Sequence, residues 1–147
     1  MGNKKKVVHI HLGEEKYRTV MHAGRHELIA DEPESVGGQD LGPDPYDYLL
    51  MSLGSCTVIT LKMYATRKKW PLEEVFVELN HHKAEVEDAA ATDKKGAKKD
   101  VIEMEIIMKG DLSDEQVERM LEISKKCPVH RTLLGEVDLI TKAGEKS

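Results

Sequence analysis

The chain has 147 residues, 33% of them charged, and its 27 acidic and 22 basic side chains give a net charge of -5. This length suits one domain, residues 1–147, with a core of its own, and the acidic balance argues against a nucleic-acid partner. No apolar run approaches the roughly 20 residues of a membrane span and the N-terminus lacks the apolar core of a signal peptide, so we expect a cytoplasmic protein with no membrane partner.

The first third of the chain is predicted to form a three-stranded meander. Val8, Ile10 and Leu12 recur at every second position, which is the period of a strand with one buried face. Residues 16–22 and 26–31 are predicted as the next two strands, with AGR as the turn between them. The Gly- and Pro-rich segment PESVGGQDLGPDP then predicts a loop that is long enough to be functional.

A long helix is predicted after this loop. Asp44 is the expected N-cap, Pro45 occupies the first helical position, and Trp70-Pro71 closes the helix. Spacings of four and three place five residues on one stripe, namely Leu49, Leu53, Cys56, Thr60 and Met63. Because other faces are apolar too, we expect the helix to be buried nearly all round, in a sheet-covered core or a subunit interface.

Alternating apolar residues in the second half predict a β-hairpin. Residues 75–79 and 102–108 have this pattern, and the polar segment VEDAAATDKKGAKKD between them is predicted to be a mobile tip. Near the C-terminus, GEVDLITK is predicted to be a final strand.

A second helix is predicted to begin at Ser113, where Gln116 three residues later completes a capping box. Lys125 and its neighbour Lys126 suit the C-terminal end of a helix, and Pro128 marks the stop. Cys127 is therefore expected at the exit of this helix.

The two cysteines are candidates for chemistry, because two thiols in a reducing compartment rarely serve as a structural disulfide. On periodicity alone, Cys56 is a small core residue in the middle of a helix. Four neighbours of Cys127 can carry positive charge, namely Lys125, Lys126, His130 and Arg131. Cations favour the thiolate, whereas the negative end of a helix opposes it, so both outcomes stay open.

Other kinds of site find less support. Cys127 and His130 have C-x-x-H spacing, and Cys56, His81 and His82 could complete a zinc set, but no second paired motif accompanies them. The C-x-x-C motif, the G-x-S-x-G motif and the glycine spacings of nucleotide-binding loops are all absent from the sequence.

Two segments of the sequence closely resemble the OsmC/Ohr family of osmotically inducible and organic-hydroperoxide-resistance proteins. They are GPDPYDYLLMSLGSCTVITLKMYATRKKWPLEEV and GDLSDEQVERMLEISKKCPVHRTL, and the CPVHRTL motif is typical of one OsmC-like branch. The likeness extends from about Arg25 to Leu134. It implies an α+β fold with two antiparallel β-sheets around two central helices, in an intertwined homodimer with two active sites at the subunit interface.

The resemblance also implies a thiol-dependent peroxidase that reduces organic hydroperoxides without haem, flavin or metal. Cys56 matches the peroxidatic cysteine, which attacks the O–O bond and becomes a sulfenic acid, and Cys127 matches the resolving cysteine. An external dithiol reductant would then reduce the resulting disulfide. Arg25, in HAGRHEL, matches the arginine that favours the thiolate and orients the peroxide.

The sequence departs from the family's peroxidases at one position. Those peroxidases have a glutamate ten residues before the first cysteine, where this chain has Tyr46. Asp47 follows it, and either replaces the glutamate or only stabilises the first helical turn. His130 either tunes Cys127 or forms a hydrogen bond within a loop.

Two hypotheses follow for the function. The first is a Cys-based peroxidase that works through a Cys56–Cys127 disulfide. The second is a non-catalytic binding protein that holds a small apolar ligand at the dimer interface, and Tyr46 in place of the glutamate motivates it.

Overall fold

The computed structural model describes residues 5–85 and 98–145. Its elements, in chain order, are β1 (His9–Leu12), β2 (Thr19–Ala23), β3 (His26–Ala30), α1 (Pro45–Lys68), β4 (Leu72–Glu85), β5 (Lys98–Gly110), α2 (Asp114–Ser124) and α3 (Pro128–Leu134). The predicted α+β class with two antiparallel sheets is confirmed. Contacts divide the chain into two compact units, residues 1–51 and 52–147, which are described separately, and the single domain stays a prediction.

The first unit contains the predicted meander. Its strands pair in the order β1-β2-β3, with Ile10 opposite Met21 and Met21 opposite Leu28. The turn between β2 and β3 has two central residues, Gly24 and Arg25, and only Gly24 has a positive φ, of 60°. A positive φ at the first central position is the type II′ pattern, which matches the twist of a hairpin and favours glycine there.

The loop after β3 is held by a buried carboxylate that the sequence did not reveal. Asp31 is only 2% exposed, and its carboxylate accepts hydrogen bonds from the backbone N–H groups of Glu32, at 2.7 Å, and Leu41, at 3.2 Å. Burial acts to raise the pKa of Asp31, but the hydrogen bonds from the loop backbone outweigh it and hold the pKa below its usual value. The loop therefore has a structural anchor, and its functional role stays a prediction.

The predicted start of α1 is confirmed. The backbone N–H of Asp47 donates to Asp44 Oδ1 at 2.8 Å, and the N–H of Asp44 donates to Asp47 Oδ2 at 3.0 Å. Each aspartate thus satisfies a backbone donor that the beginning of a helix leaves without a partner.

In the single chain α1 is buried on one side, and its burial all round in a subunit interface stays a prediction. Its buried residues are Leu53, Gly54, Thr57, Leu61, Tyr64 and Ala65. Of the predicted stripe, Leu49 is 36% exposed and Met63 is 68% exposed, so neither contributes to the core. By length and composition α1 could cross a membrane, but a core helix passes the same test.

Gly54 lets α1 approach the second sheet closely. A Cβ atom at this position would lie 2.9 Å from Cδ1 of Leu79 and 3.4 Å from Cγ2 of Val77, both on β4. The core of the second unit lies along the later part of α1 and reaches α2. Its buried members are Leu61, Tyr64, Ala65, Leu72, Met120 and Ile123.

The predicted hairpin is confirmed and is longer than expected. Val77 pairs with Ile106 and Leu79 with Met104, so the alternating apolar residues of both strands share one face. Residues 98–100, predicted as part of the mobile tip, belong to β5 instead, because they continue the pairing with the end of β4. The rest of the predicted tip, residues 86–97, lies outside the described residues.

The C-terminal part confirms one prediction and corrects two. The capping box of α2 is present, since Gln116 N–H donates to Ser113 Oγ at 3.1 Å and Ser113 N–H donates to Gln116 Oε1 at 2.9 Å. Helix α3 was not predicted, because Pro128 is the first residue of a new helix as well as a stop signal. The predicted final strand, GEVDLITK, is wrong for the single chain, since residues 135–142 pair with no described strand and Leu139 is 89% exposed.

Candidate functional site

Cys127 lies where one helix ends and the next begins. It is fully buried, its own N–H donates to the carbonyl of Ser124 at 3.4 Å, and its Sγ accepts a hydrogen bond from the backbone N–H of His130 at 3.4 Å. The thiol is therefore the N-cap of α3.

Cys56 is half-buried in the middle of α1, and its thiol lies in hydrogen-bonding contact with that of Cys127. The pKa of Cys56 is raised, first by burial and then by the hydrogen bond and charge of Cys127. Hydrogen bonds with the backbone of Val129 and the side chain of Thr60 act in the opposite direction. Within its own unit, Cys56 is therefore held predominantly as the neutral thiol at neutral pH.

The fold thus brings together two thiols that are remote in sequence. Both cysteines are free, and the contact between them joins α1 to the α2–α3 junction. The proximity of Thr60 to Cys56 agrees with their predicted place on one helix stripe, since residues four apart share a helix face. Val129 was not predicted as a neighbour, because only the tertiary fold brings it close.

His130 contacts Cys127 through its backbone rather than through its ring. The ring atom Nδ1 is buried and has no hydrogen-bond partner among the described residues. Any residue other than proline would supply this backbone N–H, so both roles considered for the His130 side chain stay predictions.

The other candidate site residues lie in the first unit. Arg25 is exposed in the β2–β3 turn and forms no ion pair within the described part of the chain. Tyr46 is 52% exposed in the first turn of α1. Asp47 is engaged in the reciprocal capping with Asp44, which is the structural role considered for it. The catalytic roles of Arg25, Tyr46 and Asp47 stay predictions.

The histidines considered as metal ligands lie on β4. The ring of His81 forms a hydrogen bond with Asp100 across the hairpin at 2.8 Å, and His82 lies 3.5 Å from the carboxylate of Glu103. Within residues 5–85 and 98–145, no group of three or more His, Cys, Asp or Glu side chains is placed to hold a metal ion.

The chain has an α+β fold in which a thiol in a long helix lies near a second thiol that precedes a proline. This arrangement is that of a two-cysteine protein. The family model of the OsmC-like proteins matches residues 37–142, and the chain therefore belongs to the OsmC-like protein family. No protein among the curated sequences is significantly similar to the chain.

Solved structures of low sequence identity share this fold. An OsmC-like protein from Mycoplasma pneumoniae has a TM-score of 0.72 at 19% identity, over 90% of this chain and 89% of that one. An organic hydroperoxide resistance protein from Legionella pneumophila has a TM-score of 0.65 at 19% identity, over 94% and 95% of the two chains. One from Elizabethkingia anophelis, with thiocyanate bound, has a TM-score of 0.66 at 16% identity, over 92% of each chain.

Proposed function

We propose that this protein is a thiol-dependent peroxidase that reduces organic hydroperoxides with Cys56 and Cys127. The observation that carries the proposal is the contact between the two thiols, because a resolving thiol has to reach the oxidised one. Two of the structural relatives are described as organic hydroperoxide resistance proteins, which favours the same substrate class.

The proposed reaction has three steps. The Cys56 thiolate attacks one oxygen of the hydroperoxide, the O–O bond breaks, and the alkoxide takes up a proton and leaves as an alcohol. Cys56 is thereby oxidised to a sulfenic acid. The Cys127 thiol attacks the sulfenic sulfur, its proton leaves with the hydroxide as water, and a disulfide forms. An external dithiol then reduces this disulfide by exchange and is itself oxidised.

Because the pKa of Cys56 is raised, the peroxidase reaction requires a group elsewhere in the molecule that stabilises the Cys56 thiolate. Only the thiolate is nucleophilic, and burial together with Cys127 holds Cys56 in the thiol form within its own unit. A cation near Cys56 would reverse this effect, and Arg25 is the residue that we propose for the role. Tyr46 and Asp47 would support Arg25 in place of the family's glutamate.

We also propose a cytoplasmic homodimer. What supports the dimer is the apolar C-terminal segment, since Leu139 is 89% exposed and Ile140 is 87% exposed in the single chain. Contiguous exposed apolar residues of this kind are typical of an interface. A second chain would also give the segment 135–142 a strand to pair with.

Rapid mixing of the reduced protein with an alkyl hydroperoxide tests the peroxidase. We expect oxidation much faster than that of free cysteine, with a loss of two thiols per chain. Cys56→Ser should abolish the reaction, while Cys127→Ser should stop at a sulfenic acid that reacts with dimedone. Oxidation no faster than that of free cysteine, unchanged in Cys56→Ser, would show that Cys56 is not peroxidatic.

The second candidate is the non-catalytic binding protein with a small apolar ligand at the dimer interface. Burial of Cys56, which raises its pKa, and Tyr46 in place of a glutamate both favour it. Native mass spectrometry of the same preparation distinguishes the candidates. A dimer that retains a ligand, combined with slow oxidation, supports the binding protein, and an empty dimer with rapid peroxide turnover supports the enzyme.

A further inference from the structure

Three of the seven histidines lie on one face of the first sheet. His9 is directly opposite His22 in the register of β1 and β2, and His11 follows His9 by two residues. Directly opposite residues of antiparallel strands have their side chains on the same face, as do alternate residues of one strand. The three imidazoles therefore project from one face of the meander, which we call the histidine face.

The histidine face is not the one that the sheet needs to bury. The other face holds apolar residues at the alternate positions, among them Ile10, Met21 and Leu28. All three histidines are exposed in the single chain. Neither His9 nor His11 forms an ion pair with a described residue. Their side chains are therefore free to turn toward a ligand.

The spacing of the three residues lets their imidazoles reach a single ion. The Cβ atoms of directly opposite residues are about 4.5–5.5 Å apart, and those of diagonal neighbours such as His11 and His22 are about 7–8 Å apart, which long side chains still span. His9 and His11 are separated by two strand rises, about 7 Å. Metal–nitrogen bonds of about 2.0–2.1 Å then fit between the ring nitrogens.

A carboxylate extends this row to the third strand. Glu27 of β3 is directly opposite His22, and its Oε2 lies 3.5 Å from Nε2 of His22. Metal-binding histidines almost always donate their second ring N–H to an acceptor such as a carboxylate, which fixes the ring and raises the basicity of the ligand. Glu27 can hold His22 in this way, with Nδ1 left to bind the ion.

The charges at the other end of the row are mostly negative. His11 lines a small cavity of about 160 Å³ together with Glu14, Glu15 and Arg18. Arg18 is 4.0 Å from the Glu15 carboxylate, which offsets its charge. With Glu27 included, three carboxylates and one guanidinium surround the imidazoles. This balance favours a divalent cation.

The described conformation is not the bound one. The ring of His22 is turned toward Glu27, and no three ligand groups converge on one point within residues 5–85 and 98–145. Exposed side chains change rotamer within picoseconds to nanoseconds. Convergence of the three imidazoles therefore requires side-chain rotation but no movement of the backbone.

We propose that His9, His11 and His22 bind one divalent ion of the late first-row transition metals, such as Zn²⁺, on the histidine face. Imidazole suits zinc, copper and nickel, whereas Mg²⁺ and Ca²⁺ prefer oxygen ligands. The bound ion crosslinks β1, an edge strand of the sheet, to β2. Neither cysteine takes part, so the site does not depend on the proposed peroxidase.

A titration of the reduced full-length protein with Zn²⁺, followed through the imidazole signals in NMR spectra, tests the site. We expect the signals of His9, His11 and His22 to shift with a common midpoint. The signal of His26 should not shift, because this exposed residue lies on the opposite face of the same sheet. The imidazole signals distinguish this site from zinc held by the thiols. Mg²⁺ at the same concentration should shift none of the signals.

His22→Gln and His26→Gln form a matched pair of exposed variants. Loss of an outer-shell partner alone weakens metal binding about 10- to 100-fold, so loss of a ligand in His22→Gln should weaken zinc binding at His9 and His11 at least about tenfold. His26→Gln should leave the midpoint unchanged. No shift of the three signals, an equal shift at His26, an equal response to Mg²⁺, or equal effects of the two variants would each overturn the proposal.

Discussion

Cys56 lies inside a regular helix, whereas Cys127 lies at the junction of two helices. Around Cys56 the regular helix α1 continues in both directions, and no cap or turn depends on the side chain at that position. Around Cys127 the chain passes from α2 to α3, and the thiol itself accepts the hydrogen bond that starts the second helix. Only the Cys127 thiol is therefore part of the local fold.

Substitution by alanine should destabilise the protein more at Cys127 than at Cys56. Cys127→Ala removes the N-cap of α3 and a fully buried sulfur, so we expect a loss of about 2 kcal/mol in the free energy of unfolding. Cys56→Ala, at a half-buried position inside a helix, should cost less than about 1 kcal/mol, because alanine favours the helix. Urea denaturation under reducing conditions and at one protein concentration measures both values.

Equal losses for the two alanine variants would contradict the distinction. Cys127→Ser is the control, because a serine hydroxyl is a good N-cap acceptor and should retain more stability than alanine does. A serine variant no more stable than the alanine variant would show that the hydrogen bond to the backbone of His130 is unimportant.

The same contrast explains which parts of the fold could be predicted from the sequence. Local signals were reliable, because the bonds they predict form between near neighbours in the chain. The Asp44 cap and the Ser113–Gln116 capping box are both present. Pro128 was ambiguous, since proline both stops one helix and suits the first position of the next.

Features that depend on distant parts of the chain, or on another chain, were predicted less well. The sequence did not single out the buried face of α1, because apolar residues occur on several of its faces and only tertiary packing selects one of them. The strand predicted at residues 135–142 needs a partner strand, which the described single chain does not provide. The pairing of Cys56 with Cys127 came from the family resemblance, since no spacing rule joins two residues so far apart.

The capping box of α2 stabilises the start of the helix that leads to Cys127. Ser113→Ala removes the reciprocal hydrogen bonds with Gln116 at the start of α2, so we expect a loss of about 1 kcal/mol in the free energy of unfolding. Ser52→Ala is the matched control, because Ser52 is exposed within α1 and should change stability by less than about 0.5 kcal/mol. Thermal or urea denaturation compares the two. A loss at Ser113 no larger than that at Ser52 would show that the cap does not stabilise this region.

The pKa of Cys56 depends on both regions, because Cys127 contributes to it. Cys127→Ala removes a hydrogen bond and a charge that raise this pKa, so the titration midpoint of Cys56 should fall relative to the parent protein. Burial, the largest cause of the raised pKa, remains in the variant. The ¹³Cβ chemical shift of Cys56 followed against pH measures the midpoint. An unchanged midpoint would show that the two thiols do not interact in solution, and a higher one would show that Cys127 stabilises the Cys56 thiolate.

The raised pKa of Cys56 in the parent protein also makes the free energy of unfolding depend on pH. A pKa raised by folding means that the native state holds the thiol proton more tightly than the unfolded state does. The stabilising contribution is therefore complete below the unfolded pKa, about 8.5, and is lost as the pH rises through the folded value. The stability of the parent relative to Cys56→Ser should decrease accordingly above about pH 8.5.

Arg25→Ala tests whether Arg25 is the proposed cation near Cys56. Removal of a cation near the thiol would raise the titration midpoint of Cys56. An unchanged midpoint would show that Arg25 lies away from the thiol.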